Sequence, residues 1–315
     1  MKDLLTTADL SAQDLAYLLR RSAKFKAKPH GRPNVLSGDT VCLYFSKPST
    51  RTRISFETAV VRLGGVPIFL NGSDLQLGRG ETLEDTARVV ARYARAFVIR
   101  TFKDEDVARV ASAATIPVIN ALTDGHHPCQ SVADLMTLAD HKGSLSKLKI
   151  AYLGDGNNVA VSLMQAAALA GTACAIASPR GYQVPFGLVE EAREIGKQHG
   201  AVITTTEDPA EALRDADAVY CDVWLSMGHS DAERAQRNAA LSPYQVNAKA
   251  MRLAKRDAIF MHCLPAHRGE EVTADVADGP QSVIFDQAEN RLWSAMAILY
   301  GLLENKLEGS RRPRD

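Results

Sequence analysis

Nowhere does this chain hold an apolar run near the ~20 residues that a membrane-spanning helix needs. Its first ten residues, MKDLLTTADL, lack the apolar core of a secretory signal. Net charge is also missing: 37 Lys and Arg balance 37 Asp and Glu, so no field is available to gather nucleic acid or an anionic membrane. Cysteine is scarce and scattered. Cys42, Cys129, Cys174, Cys221 and Cys263 form no CxxC pair, which excludes a disulfide framework and a zinc knot. Asn71-Gly-Ser73 matches a glycosylation sequon, but without export it carries no weight. These absences leave a soluble protein with reduced thiols, expected in the cytoplasm.

What is present is length and alternation. A chain of 315 residues can bury two cores. An opening helix is expected where Ser11 can cap, Asp14 sits in the first turn and Leu15, Leu18 and Leu19 make a stripe. Buried-strand runs then recur as VCLYF (41–45), VPIFL (66–70), AFVIR (96–100) and PVINAL (117–122). Amphipathic stretches, such as 54–65, 82–94 and 131–143, fill the gaps. A second set follows: KIAYLG (149–154), ACAIAS (173–178), AVITTT (201–206), AVYCDV (218–223) and AIFMHCL (258–264). Such alternation predicts α/β architecture, two domains each built on a parallel sheet flanked by helices, joined near 138–148. The active site is expected in the cleft between them.

Ligands of open parallel sheets bind outside the carboxyl ends of the strands. Polar residues collect there in this sequence: Arg100, the His126-His127 pair, Asp222, His262 and Cys263. Most conspicuous is SKPSTRTR (46–53), directly after the VCLYF run. Ser49 and Thr50 can cap a helix beginning near Arg51, and the free N–H groups of a helix start favour an anion. Thr52 and the forked guanidinium of Arg51 add donors suited to a tetrahedral oxyanion. The glycine-rich run and lysine of a P-loop are absent. The turn reads as a phosphate cradle.

A glycine turn in AYLGDGNNVA (151–160) superficially suggests a dinucleotide site. Val159 stands where a third glycine belongs, and the next strand ends in Ser178-Pro179 instead of an acidic residue. The dinucleotide reading is rejected, and Asn157 and Asn158 remain available to a substrate carboxylate.

Together, STRTR (49–53), HPCQ (127–130), DVWLSMG (222–228) and HCLPAHRGEEV (262–272) resemble the ornithine carbamoyltransferases. The first two motifs are shared with the wider aspartate/ornithine carbamoyltransferase superfamily, while SMG and HCLP single out the ornithine branch. The resemblance implies that Ser49, Thr50, Arg51 and Thr52 hold the phosphate of carbamoyl phosphate. Arg100 would bridge phosphate and carbamoyl oxygen, His127 would donate to that oxygen, and Gln130 would hold the carbamoyl amide. Gln76 would reach the phosphate from a neighbouring subunit, and Arg291 would complete the phosphate side. Cys263 and Leu264 would line the point of attack. On the ornithine side, Asn158 would bind the carboxylate, Asp222 and Ser226 the α-ammonium, and Met227 would contribute backbone.

The resemblance also implies a homotrimer, no metal or organic cofactor, and no partner beyond carbamoyl phosphate and L-ornithine. Residues 1–140 with a last helix from about Glu289 to Leu307 would form the carbamoyl-phosphate-binding domain, and 141–288 the ornithine-binding domain. Arg100, His127, Asp222 and Cys263 would carry the chemistry, with Cys263 beside Asp222 as proton acceptor. His262, Cys42, Cys129 and Cys174 read as structural, and His267 and Arg268 as shaping a loop. Aspartate-specific relatives would place a lysine where Arg79 stands. Putrescine, with neither carboxylate nor α-ammonium, would leave Asn158, Asp222 and Ser226 without purpose. A non-catalytic relative would have lost part of this set.

Overall fold

The computed structural model describes residues 1–31, 33–72, 80–225 and 231–310. The chain divides into two compact units, one of residues 1–136 with 289–315, the other of residues 137–288.

The first unit opens with α1 (Ala12–Ala27), capped by Ser11, whose hydroxyl accepts the Asp14 N–H. Alternation follows: β1 (Thr40–Phe45), α2 (Thr50–Arg62), β2 (Val66–Asn71), α3 (Leu83–Tyr93), β3 (Ala96–Arg100), α4 (Asp104–Ala113), β4 (Val118–Leu122) and α5 (Pro128–Lys142). All strands are parallel, in the order β2-β1-β3-β4. Cys42, Tyr44, Phe97 and Ile99 from the sheet pack on Ala87, Val107 and Val110 from the helices. One expectation needs correction. The VPIFL run is not a buried strand: β2 is the sheet edge, with Val66 60% and Ile68 41% exposed. An edge strand and an interior one share the same apolar composition, so the run alone did not separate them.

The second unit holds β5 (Lys149–Leu153), α6 (Asn158–Ala170), β6 (Ala173–Ala177), α7 (Phe186–His199), β7 (Ile203–Thr206), α8 (Pro209–Leu213), β8 (Ala218–Cys221), α9 (Asp231–Leu241), α10 (Ala248–Leu253), β9 (Ile259–Met261) and α11 (Ala274–Ala277). Its parallel sheet runs β7-β6-β5-β8-β9. Helix α6, NVAVSLMQAAALA, carries no charge and is buried from Val159 to Leu169. Its interior Gln165 donates from Nε2 to Glu191 at 2.9 Å. Gly171 ends the helix in the left-handed region at φ 72°, where a side chain would be strained.

The last helix, α12 (Ile284–Leu303), begins five residues earlier and ends four earlier than the sequence suggested. Its first turn belongs to the second unit. There Gln287, fully buried, accepts the His262 N–H at 2.8 Å and donates to the Tyr220 hydroxyl at 3.0 Å. From Glu289 onward the helix belongs to the first unit.

Candidate active site

Both sheets reverse their winding beside their first strand. In the first, the chain moves from β1 to β2 and then to the other side at β3; in the second, from β5 to β6 and β7, then across to β8. Such switch points leave an opening at the carboxyl ends of the two central strands, where a ligand fits. The β1 and β3 ends carry Ser46–Arg53 and Arg100; the β5 and β8 ends carry Gly154–Asn158 and Asp222.

In the first unit, the β1 loop is tied to the end of β3: Ser46 N–H donates to the Arg100 carbonyl at 2.9 Å. Ser49 is the N-cap of α2, its hydroxyl accepting the Thr52 N–H at 3.3 Å. Thr52 is buried, and Arg291 on α12 donates to its hydroxyl at 3.2 Å. The other terminal nitrogen of Arg291 donates to Gln130 Oε1, while Gln130 Nε2 donates to Asp134 at 2.7 Å. Beside this turn opens a cavity of about 530 Å³, lined in part by Ser49, Thr50 and Arg53.

His127 sits at the start of α5, just before Pro128 at the first helical position, where the missing N–H costs nothing. Burial first, then the guanidiniums of Arg291, Arg100 and Arg51, push its imidazole well below the ordinary histidine range. The four residues named from separate motifs therefore share one electrostatic neighbourhood, which disfavours a charge on the ring. A clip holds the preceding turn. Thr123 donates to Asp104, accepts from Asn120 Nδ2 at 3.0 Å and takes the His126 N–H at 3.2 Å. His126 Nδ1 lies 3.2 Å from Asp104. Burial would raise the Asp104 carboxyl, but bonds from His126 and Thr123 outweigh it and hold it low. Cys129 packs, as expected: its thiol is buried, donates to the Asn120 carbonyl at 3.4 Å, and burial pushes its pKa up to about 12.

In the second unit, the thiol of Cys263 donates to Asp222 Oδ1 at 3.0 Å. Asp222 Oδ2 accepts from Asn157 Nδ2 at 2.7 Å. Asn157 has a role not assigned from the sequence: it is the N-cap of α6 and gives one of its two amide N–H groups to Asp222. Gly156 is required for a reason unrelated to nucleotides, since a Cβ there would stand 2.3 Å from the Val184 backbone nitrogen. His262 is fully buried, its Nδ1 accepting the Leu264 N–H at 2.8 Å, which places the ring proton on Nε2, 3.3 Å from Glu271. Burial would raise the Glu271 carboxyl; the bonds from His262 and the His267 N–H outweigh it. Leu264 occupies the left-handed region at φ 60°, at a cost of roughly 1–3 kcal/mol. Its bond to His262 helps hold that turn beside Cys263.

Asp222, His262 and Cys263 bring a carboxylate, an imidazole and a thiol within 4.8 Å of one another. The carboxylate and thiol are bonded to each other and His262 Nδ1 to Leu264, so the trio is a hydrogen-bonded set. His267, Glu270 and Glu271 also gather, with Glu271 committed to His262 and the His267 backbone. Arg268 pairs with Asp278 at 2.8 Å. Gln76, Ser226 and Met227 lie outside the described residues.

Residues 2–140 match the family model for the carbamoyl-P binding domain of aspartate/ornithine carbamoyltransferase, and residues 146–302 match that for its Asp/Orn binding domain. The chain belongs to the aspartate/ornithine carbamoyltransferase family. Ornithine carbamoyltransferase from Anoxybacillus flavithermus is 53% identical over 304 residues, covering 96% of each chain. The Pyrococcus furiosus ornithine carbamoyltransferase structure superposes with a TM-score of 0.93 at 45% identity, covering 98% of each. The anabolic ornithine carbamoyltransferase of Campylobacter jejuni gives 0.90 at 36%, covering 97% of this chain and 100% of that one. Sequence reading alone missed the side chains that hold the carbamoyltransferase motifs in place: Asp104 and Thr123 behind His127, Asn157 behind Asp222, Gln287 behind His262. Only Asn157 left a signal, as a capping residue type at a helix start.

Proposed function

We propose that this chain transfers the carbamoyl group of carbamoyl phosphate to the δ-amine of L-ornithine, giving L-citrulline and phosphate. The α2 N-terminus with Ser49, Thr50, Arg51 and Thr52 takes the phosphate, and Arg291 completes that side. Arg100 and the neutral His127 donate to the carbonyl oxygen, where negative charge develops. One such donor commonly contributes ~10²–10³ in rate. Gln130 Oε1 has a lone pair left beside its bond from Arg291 to accept from the carbamoyl amide.

On the ornithine side, Asn158 takes the carboxylate, Asp222 and Ser226 the α-ammonium, and Met227 adds backbone. Ornithine enters with a protonated δ-amine. The sulfur of Cys263 accepts that proton as its own S–H proton passes to Asp222, to which it already donates. The freed amine forms the new C–N bond, the C–O bond to phosphate breaks, and the phosphate leaves with the bonding pair and takes up the second proton, which the new nitrogen sheds. Leu264 lines the point of attack.

A homotrimer is proposed, with Gln76 supplied across an interface. Exposed apolar residues on β2 and α2 support it: Val66, Ile68, Ile54 and Val61 form too much uncovered surface for an edge strand meant to stay in water. The proposed direction is toward citrulline in arginine biosynthesis, in the cytoplasm. Cys42, Cys129, Cys174 and Cys221, buried and outside any disulfide, support that compartment. Among the described residues no helix is long and apolar enough to cross a membrane.

The observation that carries the reading is His127 buried within the influence of the Arg51, Arg100 and Arg291 guanidiniums, with Arg291 also holding Thr52 and Gln130. Its test is ureido-product formation from carbamoyl phosphate with ornithine, N-acetylornithine, putrescine and aspartate offered in parallel. Citrulline formed far faster than the other products is expected. Faster turnover of another amine would overturn the ornithine assignment and keep the phosphate site.

A further inference from the structure

Asn157 meets two demands at once, and only one of them is the helix cap. Its Oδ1 accepts the Val159 N–H at 3.0 Å, the Ala160 N–H at 3.2 Å and the Tyr152 hydroxyl at 3.3 Å. Three donors converge on that atom, so the amide cannot turn over without aiming its own N–H groups at backbone N–H groups. Nδ2 is thereby fixed toward Asp222 Oδ2, 2.7 Å away. The opposite oxygen of the same carboxylate holds the Cys263 thiol. Asp222 is buried, and both of its oxygens are taken by defined donors.

Serine or aspartate would cap α6 about as well as asparagine. Neither presents an N–H on its far side. Serine does not reach Asp222, and aspartate would set a second carboxylate against it. The residue type at 157 is therefore selected by Asp222 and not by the helix.

We propose that Asn157 is a positioning residue for the Asp222–Cys263 pair, fixing the rotation of the carboxylate that receives the thiol proton. Its bearing on turnover rests on the carbamoyl-transfer reading; its bearing on the thiol does not. With the amide gone, the carboxylate turns away and the Cys263 S–H loses its acceptor, so the thiol ionises more readily. With a second carboxylate in place, added negative charge opposes the thiolate. The two substitutions should move the thiol in opposite directions. The other titratable groups beside the pair, Tyr152, Asp155, Cys221, His262 and Glu271, are the same in both variants.

The experiment compares Asn157→Ser and Asn157→Asp with the unaltered full-length protein. It reads iodoacetamide labelling of Cys263 at pH 8 by mass spectrometry, thermal midpoint and citrulline formation. Labelling is selective because the other four cysteines are buried. Expected are midpoints within a few degrees of the parent, labelling several-fold faster in the serine variant and several-fold slower in the aspartate variant. A fall of tenfold or more in kcat is expected in both, with a smaller change in carbamoyl phosphate KM. Labelling rates within twofold of the parent in both variants would overturn the proposal, whatever the midpoints do, because Asn157 would then act as a cap alone. If the parent forms no citrulline, the functional reading fails, and the labelling rates still decide the positioning role.

Discussion

Arg291 on α12 and Thr52 on α2 stand 239 positions apart in the chain and meet at 3.2 Å, guanidinium to hydroxyl. The same guanidinium holds Gln130, so one buried fork fixes two residues proposed to touch carbamoyl phosphate. Arg291→Met keeps the length and removes both bonds. It is expected to lower the unfolding free energy by roughly 2–4 kcal/mol and to raise the carbamoyl phosphate KM about tenfold, close to one hydrogen bond to a charged group. Arg291→Lys restores the charge without the fork and should recover only part of either loss. Urea titration and steady-state kinetics check both; a variant matching the parent in each would disprove the role.

Arg51 lies in the first turn of α2, the helix that follows β1, and Arg100 is the last residue of the neighbouring β3. Arg51→Ala and Arg100→Ala should each lower kcat/KM for carbamoyl phosphate by ~10²–10³ or more. Circular dichroism melts should stay near the parent's, because neither side chain builds the core. Parent-like turnover in either variant would remove the phosphate-site assignment.

His127 gives a pH signature whose sign is set by its environment. Its folded-state pKa lies well below the ordinary 6.5, so under acid conditions the unfolded chain takes up a proton there that the folded chain refuses. Stability should therefore be unaffected by this group above pH 6.5 and fall below it, by about 1.4 kcal/mol per pH unit. The test is the difference between the stability–pH curves of the parent and His127→Gln between pH 7.5 and 5.0. A difference that stays flat below pH 6.5 would show that the imidazole is not held neutral.

Most strands of both sheets were legible as short apolar runs, and α1, α2 and α3 by a capping residue at their starts. Ser49 as the cap of α2 was readable from residue type and strand-end position, whereas Cys263 beside Asp222 came from the family resemblance. Strand order was not readable: nothing in VPIFL says that β2 sits at an edge while β1 lies inside. Nor could spacing show that Asn157 is spent on its own helix and on Asp222, since that depends on where β8 lies beside β5. The clip around Asp104 and Thr123 also escaped, because each residue is an ordinary helix-start or turn type until the fold sets them together.

Asp14 links the beginning of the chain to its end. One oxygen takes the Glu308 N–H at 2.8 Å, the other takes the Gly309 N–H at 2.9 Å and the Ser11 N–H at 2.9 Å. Asp14→Ala removes all of these and leaves three partly buried N–H groups without that acceptor. It should cost roughly 2–4 kcal/mol, measured by urea unfolding, with kcat within twofold of the parent. A cost below about 0.5 kcal/mol, the level of an ordinary surface change, would show that the tail is held by other contacts.

The return of α12 to the first unit has a consequence during synthesis. Arg291 leaves the ribosome 161 residues after Gln130, a delay of roughly 8–32 s at ordinary rates of chain growth. For that interval the emerging chain carries Ser49 to Arg53, Arg100 and His127, yet lacks the guanidinium that holds Thr52 and Gln130. Premature termination between codons 130 and 291 therefore releases a fragment in which neither Thr52 nor Gln130 is held by that guanidinium, and the two residues are left to find other partners or water.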